Sequence, residues 1–158
     1  MVLPSCKYFR AACLSSALEY DLGMKYPYWK VPPLEDRDPW TRRPIVRVTL
    51  TGPGRSMELT ALVDSGSDYS LFHIDVAEVL GIDLAQCKQE TVAGIEHVPA
   101  PCFVADVSAR VEHLEPVTIP VMFWERQPVS IIGQVGFFDQ HRIRFERDHD
   151  TFEITPVR

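Results

Sequence analysis

Apolar and polar residues alternate along most of the chain after residue 44. Val46, Val48 and Leu50 occupy every second position of one segment, with Arg47 and Thr49 between them. A period of two is typical of a strand with one buried face. The same alternation, or a short apolar run, predicts six further strands, which cover residues 57–63, 103–111, 117–123, 129–132, 143–145 and 152–154.

Two short segments favour helix instead. Residues 75–80 place Val76, Val79 and Leu80 on one helical face, and Gly81 is a typical stop. Residues 134–141 predict a second short helix that carries Phe137 and Phe138. Many strands with one or two short helices predict an all-β, barrel-like domain.

Residues 1–44 differ from the rest, and we predict a leader and arm over 1–44 followed by the folded domain over 45–158. The first part holds six of the 13 prolines. Aromatic residues separated by prolines lie between Tyr26 and Pro44. They predict an extended arm whose rings pack on a folded domain, either that of the same chain or that of a partner. The small-residue run after Arg10 is short for a signal peptide and has no clear cleavage site. Met24 is an alternative start.

Charge and cysteine usage narrow the possible partners and the compartment. The formal net charge is −6 and Lys and Arg form no cluster, which argues against nucleic acid. No apolar run reaches about 18 residues, so we predict no membrane span. Cys6, Cys13, Cys87 and Cys102 form no C-x-x-C pair. We interpret them as reduced thiols of a cytoplasmic protein, with export and a Cys87–Cys102 bridge as alternatives.

One loop combines an acid, a hydroxyl and a glycine directly after a predicted strand. Asp64 is followed by Ser65 and Gly66, and Leu71 and Phe72 return the chain to the core. Since glycine permits a sharp turn, the carboxylate is expected on a rigid, half-buried turn. The structural alternative is an Asx-type turn, in which the carboxylate only binds its own backbone two residues on.

This loop and a second segment resemble a known family. Residues 64–67, Asp-Ser-Gly-Ser, resemble the Asp-Thr/Ser-Gly-Ala/Ser motif of aspartic peptidases. Residues 131–133, Ile-Ile-Gly, begin 67 positions after Asp64 and resemble the hydrophobic-hydrophobic-Gly segment of retropepsin-like domains. The resemblance covers roughly residues 43–154. It implies a retropepsin-like acid-protease barrel that works as a C2 homodimer.

The resemblance implies a role for each residue of the loop. Asp64 is the catalytic acid, the Ser65 hydroxyl bonds across the dimer axis, and Gly66 lets the substrate backbone approach. The Ser67 hydroxyl is expected to donate to the carboxylate. Such a bond stabilises the charged form, so we predict an acidic activity optimum.

The resemblance also implies residues that bind substrate. Asp68 matches an acid that contacts substrate backbone and that retropepsins hold with an Arg after the Ile-Ile-Gly. Gln134 stands at that Arg position here, so we expect at best a hydrogen bond from a neutral donor. A glycine-containing flap tip over the substrate is expected at Ala93, Gly94 and Ile95. Packing against the loop is assigned to Ile132, Gly133 and Gln134.

The chemistry itself requires two acids. Amide hydrolysis without a metal or a nucleophilic side chain needs one carboxylate to take a proton from water while a second acid donates to the carbonyl oxygen. The chain contains one Asp-Ser-Gly sequence, so we predict that Asp64 of two copies meet on a two-fold axis. The predicted function is an aspartic endopeptidase acting on peptide or protein substrates. The alternative is a catalytically silent domain of the same fold that dimerises or binds peptide.

Other chemistries receive little support. The five histidines include no close pair at metal-ligand spacing, and the cysteines do not join them. Neither a Gly-x-Ser-x-Gly frame nor a Gly-rich phosphate loop follows a predicted strand. We therefore predict neither a metal nor a cofactor.

Overall fold

Strands account for most of the structure. The computed structural model describes residues 23–33, 39–93 and 99–157, so the predicted leader up to residue 22 lies outside it. The strands are β1 Met24–Pro27, β2 Trp29–Val31, β3 Thr41–Arg43, β4 Ile45–Thr51, β5 Ser56–Val63, β6 Ser70–His73, β7 Lys88–Ala93, β8 Pro99–Val111, β9 Val117–Trp124, β10 Ile131–Ile132, β11 His141–Glu146 and β12 Thr151–Pro156. One helix, α1, covers Ile74–Leu80, and single helical turns lie at Leu84–Gln86, Gln134–Phe138 and Arg147–His149.

Six strands close into a barrel. Their order is β4-β5-β10-β6-β9-β8, and β8 pairs back onto β4, while β7 extends the sheet as an edge strand beside β8. The two-residue strand β10 runs parallel to β5 and antiparallel to β6. The all-β class and the barrel-like architecture predicted from the sequence are confirmed.

The barrel interior is filled by the apolar positions of the alternating strands. In β4, Val46, Val48 and Leu50 are buried, whereas Arg47 is exposed. Burying one such side chain contributes about 1.5–3 kcal/mol, so the alternation itself determines which face of the strand turns inward. Neighbouring strands add the buried residues Val63, Phe72, Val107, Val111, Ile119, Val121 and Phe123.

Helix α1 lies where the sequence predicted it. It buries Val76 and Leu80, and it ends at Gly81, whose φ of 73° is left-handed and whose N–H caps the last turn. Val79, predicted on the buried face, is instead 40% exposed. The buried face is centred on the other two residues, so Val79 turns toward solvent.

A second sheet, in the order β1-β12-β11, ties the predicted arm to the domain. The rings of Tyr26 and Phe152 stack with centroids 5.4 Å apart, and Tyr28 meets Phe152 edge-on at 5.6 Å. The Tyr26 hydroxyl donates to the Glu112 carbonyl at 2.5 Å. This part of the arm therefore packs on the folded domain of its own chain. Burial raises the pKa of Tyr26 above its ordinary value.

Two predicted elements are shorter in the structure than the sequence suggested. The strand predicted over 129–132 is reduced to β10, and Val129 is 52% exposed because it precedes the two residues that pair with β5. The helix predicted over 134–141 is one irregular turn. Gly136, with a left-handed φ of 83°, interrupts it.

The two cysteines in the described residues, Cys87 and Cys102, are both free thiols. The register places Cys102 opposite Glu90 rather than opposite Cys87. The Cys87–Cys102 bridge considered as an alternative is therefore not formed.

A buried histidine makes stability depend on pH. The His141 ring stacks on Phe137 at 4.4 Å, and its Nδ1 lies 3.0 Å from the Phe137 carbonyl oxygen. Burial lowers the pKa of His141 below its ordinary 6.5 by more than this hydrogen bond raises it. Just below pH 6.5 the unfolded chain therefore binds more protons than the folded one, and the free energy of unfolding should decrease as pH falls.

Urea unfolding of the wild type and of His141→Phe across this pH range checks the prediction. The variant keeps an aromatic ring against Phe137 but cannot be protonated, so its stability should depend less steeply on pH. His113→Gln, which alters an exposed imidazole, is the control and should keep the wild-type slope. Equal slopes for the wild type and His141→Phe would contradict the prediction.

Candidate functional site

The loop that carries Asp64 begins where β5 leaves the barrel. The Asp64 N–H donates to the Ile132 carbonyl at 3.0 Å, and the preceding N–H of Val63 donates to Pro44 at 2.9 Å. The loop closes on itself through a 3.3 Å bond from the Ser67 N–H to the Asp64 carbonyl. Asp64 is half-buried, as the sequence predicted for a carboxylate on a supported turn.

The carboxylate of Asp64 is oriented by its own loop. The Gly66 N–H donates to Oδ1 at 2.8 Å, which is the Asx-type contact that the structural alternative predicted. Among the described residues no donor reaches Oδ2. One oxygen is therefore fixed by the backbone, and the other is left for a water molecule or a second acid.

Strand β10 holds the loop by passing between β5 and β6. Ile131 pairs with Leu62 on one side and with Leu71 on the other. Directly after β10, the Gln134 N–H donates to the Ser67 carbonyl at 2.9 Å, and the Val135 N–H donates to the Asp68 carbonyl at 2.7 Å. These bonds connect the loop to a segment 67 residues further along the chain.

Gly133 allows the two segments to approach this closely. A Cβ at Gly133 would lie 2.3 Å from the Tyr69 carbonyl oxygen and 2.8 Å from that of Ser67, so only hydrogen fits. The Gly133 N–H donates at 3.1 Å to the hydroxyl of Ser70, which is fully buried. Sequence reasoning missed Ser70. The signal available in the sequence was its position: Ser70 lies two residues before Phe72, so in a strand its side chain points to the same face as that core residue.

Two hydrogen bonds differ from the expected ones. The Ser67 hydroxyl donates to the Tyr69 carbonyl at 2.7 Å and not to the Asp64 carboxylate, so the contact on which we based an acidic optimum is wrong. The Gln134 carboxamide donates to the Ser65 carbonyl at 2.6 Å and not to Asp68. In both cases the acceptor is a backbone carbonyl of the loop.

Asp68 projects from the same loop and is exposed. Within the described ranges no cationic side chain forms an ion pair with it. The loop therefore presents two carboxylates, those of Asp64 and Asp68, and neither forms an ion pair with a side chain in the described part of the chain.

The structure describes the two strands that flank the predicted flap tip. Strands β7 and β8 pair in antiparallel register from Lys88 opposite Val104 to Ala93 opposite Pro99, which is a hairpin. Ala93 ends β7, whereas Gly94 and Ile95 lie outside the described residues. Ile132 is fully buried, as expected of a residue beneath the loop.

Residues 23–33, 39–93 and 99–157 contain no group of three or more His, Cys, Asp or Glu side chains that is placed to hold a metal ion. No helix in these ranges is long and apolar enough to cross a membrane.

Replacing Gly133 by Ala should destabilise the fold at the loop. The new Cβ would overlap backbone atoms of Tyr69, which cannot move as a side chain does, and overpacking of this kind costs about 1–3 kcal/mol. Urea unfolding measures the loss. Gly54→Ala is the matched control because its Cβ would meet the Leu80 carbonyl at an ordinary 3.6 Å. Equal stability of the two variants would contradict the steric argument.

Comparison with known proteins does not assign the chain to a family. No protein-family model matches the sequence, and no curated protein matches it.

Proposed function

We propose that this chain is an aspartic endopeptidase of the retropepsin-like type, active as a homodimer with Asp64 of each copy in one site. The observation that carries the proposal is the support of the Asp64 loop. Asp64 directly follows a barrel strand and is half-buried. The Gly66 N–H donates to one oxygen of its carboxylate, and its backbone N–H donates to the carbonyl of Ile132 in β10. Such preorganisation of a reactive acid is what hydrolysis of an unactivated amide requires.

The proposed reaction uses the two carboxylates in different protonation states. The ionised carboxylate takes a proton from a water molecule, whose oxygen attacks the peptide carbonyl carbon. The protonated carboxylate donates to the carbonyl oxygen, which gives a tetrahedral diol. The carboxylate that is now protonated donates to the amide nitrogen while the other takes a proton from a diol hydroxyl, so the C–N bond breaks and a carboxylic acid and an amine leave. The pair again holds one proton, and the protons balance without a metal or a cofactor.

The surface around the loop supports the approach of a second copy. Tyr69, at the end of the loop, is 40% exposed, and Val135, whose N–H binds the loop at Asp68, is 37% exposed. Apolar side chains beside a half-buried acid are typical of a surface that another protein covers. A C2 contact at this point brings the same residue of both copies together.

A second function is favoured by one further observation. In the described part of the chain, β7 is the edge of the seven-stranded sheet, and no strand pairs with its outer side. An extended peptide pairs with such an edge whether or not Asp64 reacts. The alternative proposal is therefore a silent peptide-binding domain, which the following experiment separates from the enzyme.

Cleavage of a mixed peptide library between about pH 3 and 7 tests the reaction. The wild type should cut, and Asp64→Asn should lose at least about a hundredfold in kcat because an amide cannot take a proton from water. The Asn side-chain oxygen still accepts from the Gly66 N–H, so the fold should be retained. Equal cleavage by the two proteins would rule out the dyad. Peptide binding by both, with cleavage by neither, would favour the silent domain.

Mixing wild type with Asp64→Asn tests whether one site needs two copies. If subunits exchange, a roughly tenfold excess of the variant should leave about one tenth of the wild-type activity, because most wild-type chains then pair with an inactive partner. A peptidase assay after equilibration measures this, with an equal excess of an unrelated inert protein as the control for protein concentration. Undiminished activity in the mixture would show that a single chain is sufficient.

A further inference from the structure

We infer that Gln134 is a positioning residue that orients the catalytic loop through the carbonyl of Ser65; this inference rests on the proposed function. The carboxamide of Gln134 donates to that carbonyl at 2.6 Å, and the backbone N–H of the same residue donates to the Ser67 carbonyl at 2.9 Å. A single residue thus binds the loop at two points, which lie 69 and 67 positions away in sequence.

The planarity of the peptide bond carries this contact to the carboxylate. The Ser65 C=O and the Gly66 N–H belong to the same rigid, trans peptide unit and point in opposite directions. The C=O end is held by Gln134, and the N–H end donates to Oδ1 of Asp64 at 2.8 Å. Rotation of this unit about its flanking bonds would break both hydrogen bonds together, so holding one end fixes the other.

Gln134 is itself anchored. Its backbone follows Gly133, which lies against Tyr69 and has its N–H on the buried Ser70 hydroxyl. The side chain therefore begins from a fixed point, and its short bond to Ser65 places it over the loop. A carboxamide also donates without adding charge, so it orients the peptide unit without changing the electrostatic balance of the two facing carboxylates.

The test compares Gln134→Met with Gln140→Met. Methionine has nearly the shape of glutamine but donates no hydrogen bond. Gln140 is the matched control because its carboxamide also binds a nearby backbone carbonyl, that of Gly136 at 2.8 Å, outside the catalytic loop. We expect kcat to fall at least about tenfold for Gln134→Met with little change in KM, since misplacement of a reacting group reduces the chemical step. Gln140→Met should stay within about twofold of the wild type.

The pH profile distinguishes positioning from a loss of stability. Without Gln134, the Gly66 N–H should no longer be held on the ionised carboxylate, and losing a donor to the charged form favours the protonated one. The profile of kcat for Gln134→Met should therefore shift toward higher pH. A destabilised but correctly oriented loop would lower the folded fraction and leave the profile in place. A kcat equal to that of the wild type, or an unshifted profile, would overturn the inference.

Hydrogen exchange gives a readout that needs no activity. The Gly66 amide should exchange at least about tenfold faster in Gln134→Met than in the wild type, while in Gln140→Met it should be unchanged. Unchanged exchange in Gln134→Met would overturn the inference even if the enzyme is active. If the wild type cleaves nothing, the proposed function fails, and the exchange comparison still decides whether Gln134 orients the loop.

Discussion

The structure of the site depends on the close approach of two backbones, that of Gly133 and that of Tyr69. A Cβ at Gly133 would lie 2.3 Å from the Tyr69 carbonyl oxygen, so this position accepts no side chain. Because the two backbones lie this close, β10 fits between β5 and β6. The N–H groups of the two residues after Gly133 then donate to the carbonyls of Ser67 and Asp68. The position of the Asp64 loop therefore depends on the insertion of β10, while the Gly66 N–H within the loop orients the carboxylate.

The parts of the fold that depend on local pattern could be predicted from the sequence. The alternation of Val46, Val48 and Leu50 was sufficient to predict β4 because the inward face of a strand is decided by burial of its own residues. Gly81 ended α1 as predicted because a left-handed cap is a local property of glycine. Asp64 was found because acid, hydroxyl and glycine are adjacent in the chain.

Contacts between distant segments could not be predicted in the same way. The Ser67 hydroxyl binds the Tyr69 carbonyl two residues on, and no sequence pattern distinguished that acceptor from the Asp64 carboxylate. The carboxamide of Gln134 binds the Ser65 carbonyl 69 positions away, and this contact depends on where the pairing of β10 with β5 places the residues that follow. Ser70 was missed for the same reason, since its partner Gly133 is 63 positions away.

The hydrogen bonds that join the Asp64 loop to the segment after β10 are formed between neutral groups, so they do not offset the charge of the carboxylates that face each other in the proposed dimer. Two unit charges about 4 Å apart near a protein surface repel by about 4 kcal/mol, so two Asp64 carboxylates can face each other only if the pair keeps a proton. Among the described residues no Lys or Arg forms an ion pair with Asp64, so in the proposed dimer rising pH should weaken both catalysis and association. Falling pH should instead weaken the fold, because burial lowers the pKa of His141. The fold and the proposed pair of acids thus respond to pH through different groups and in opposite directions.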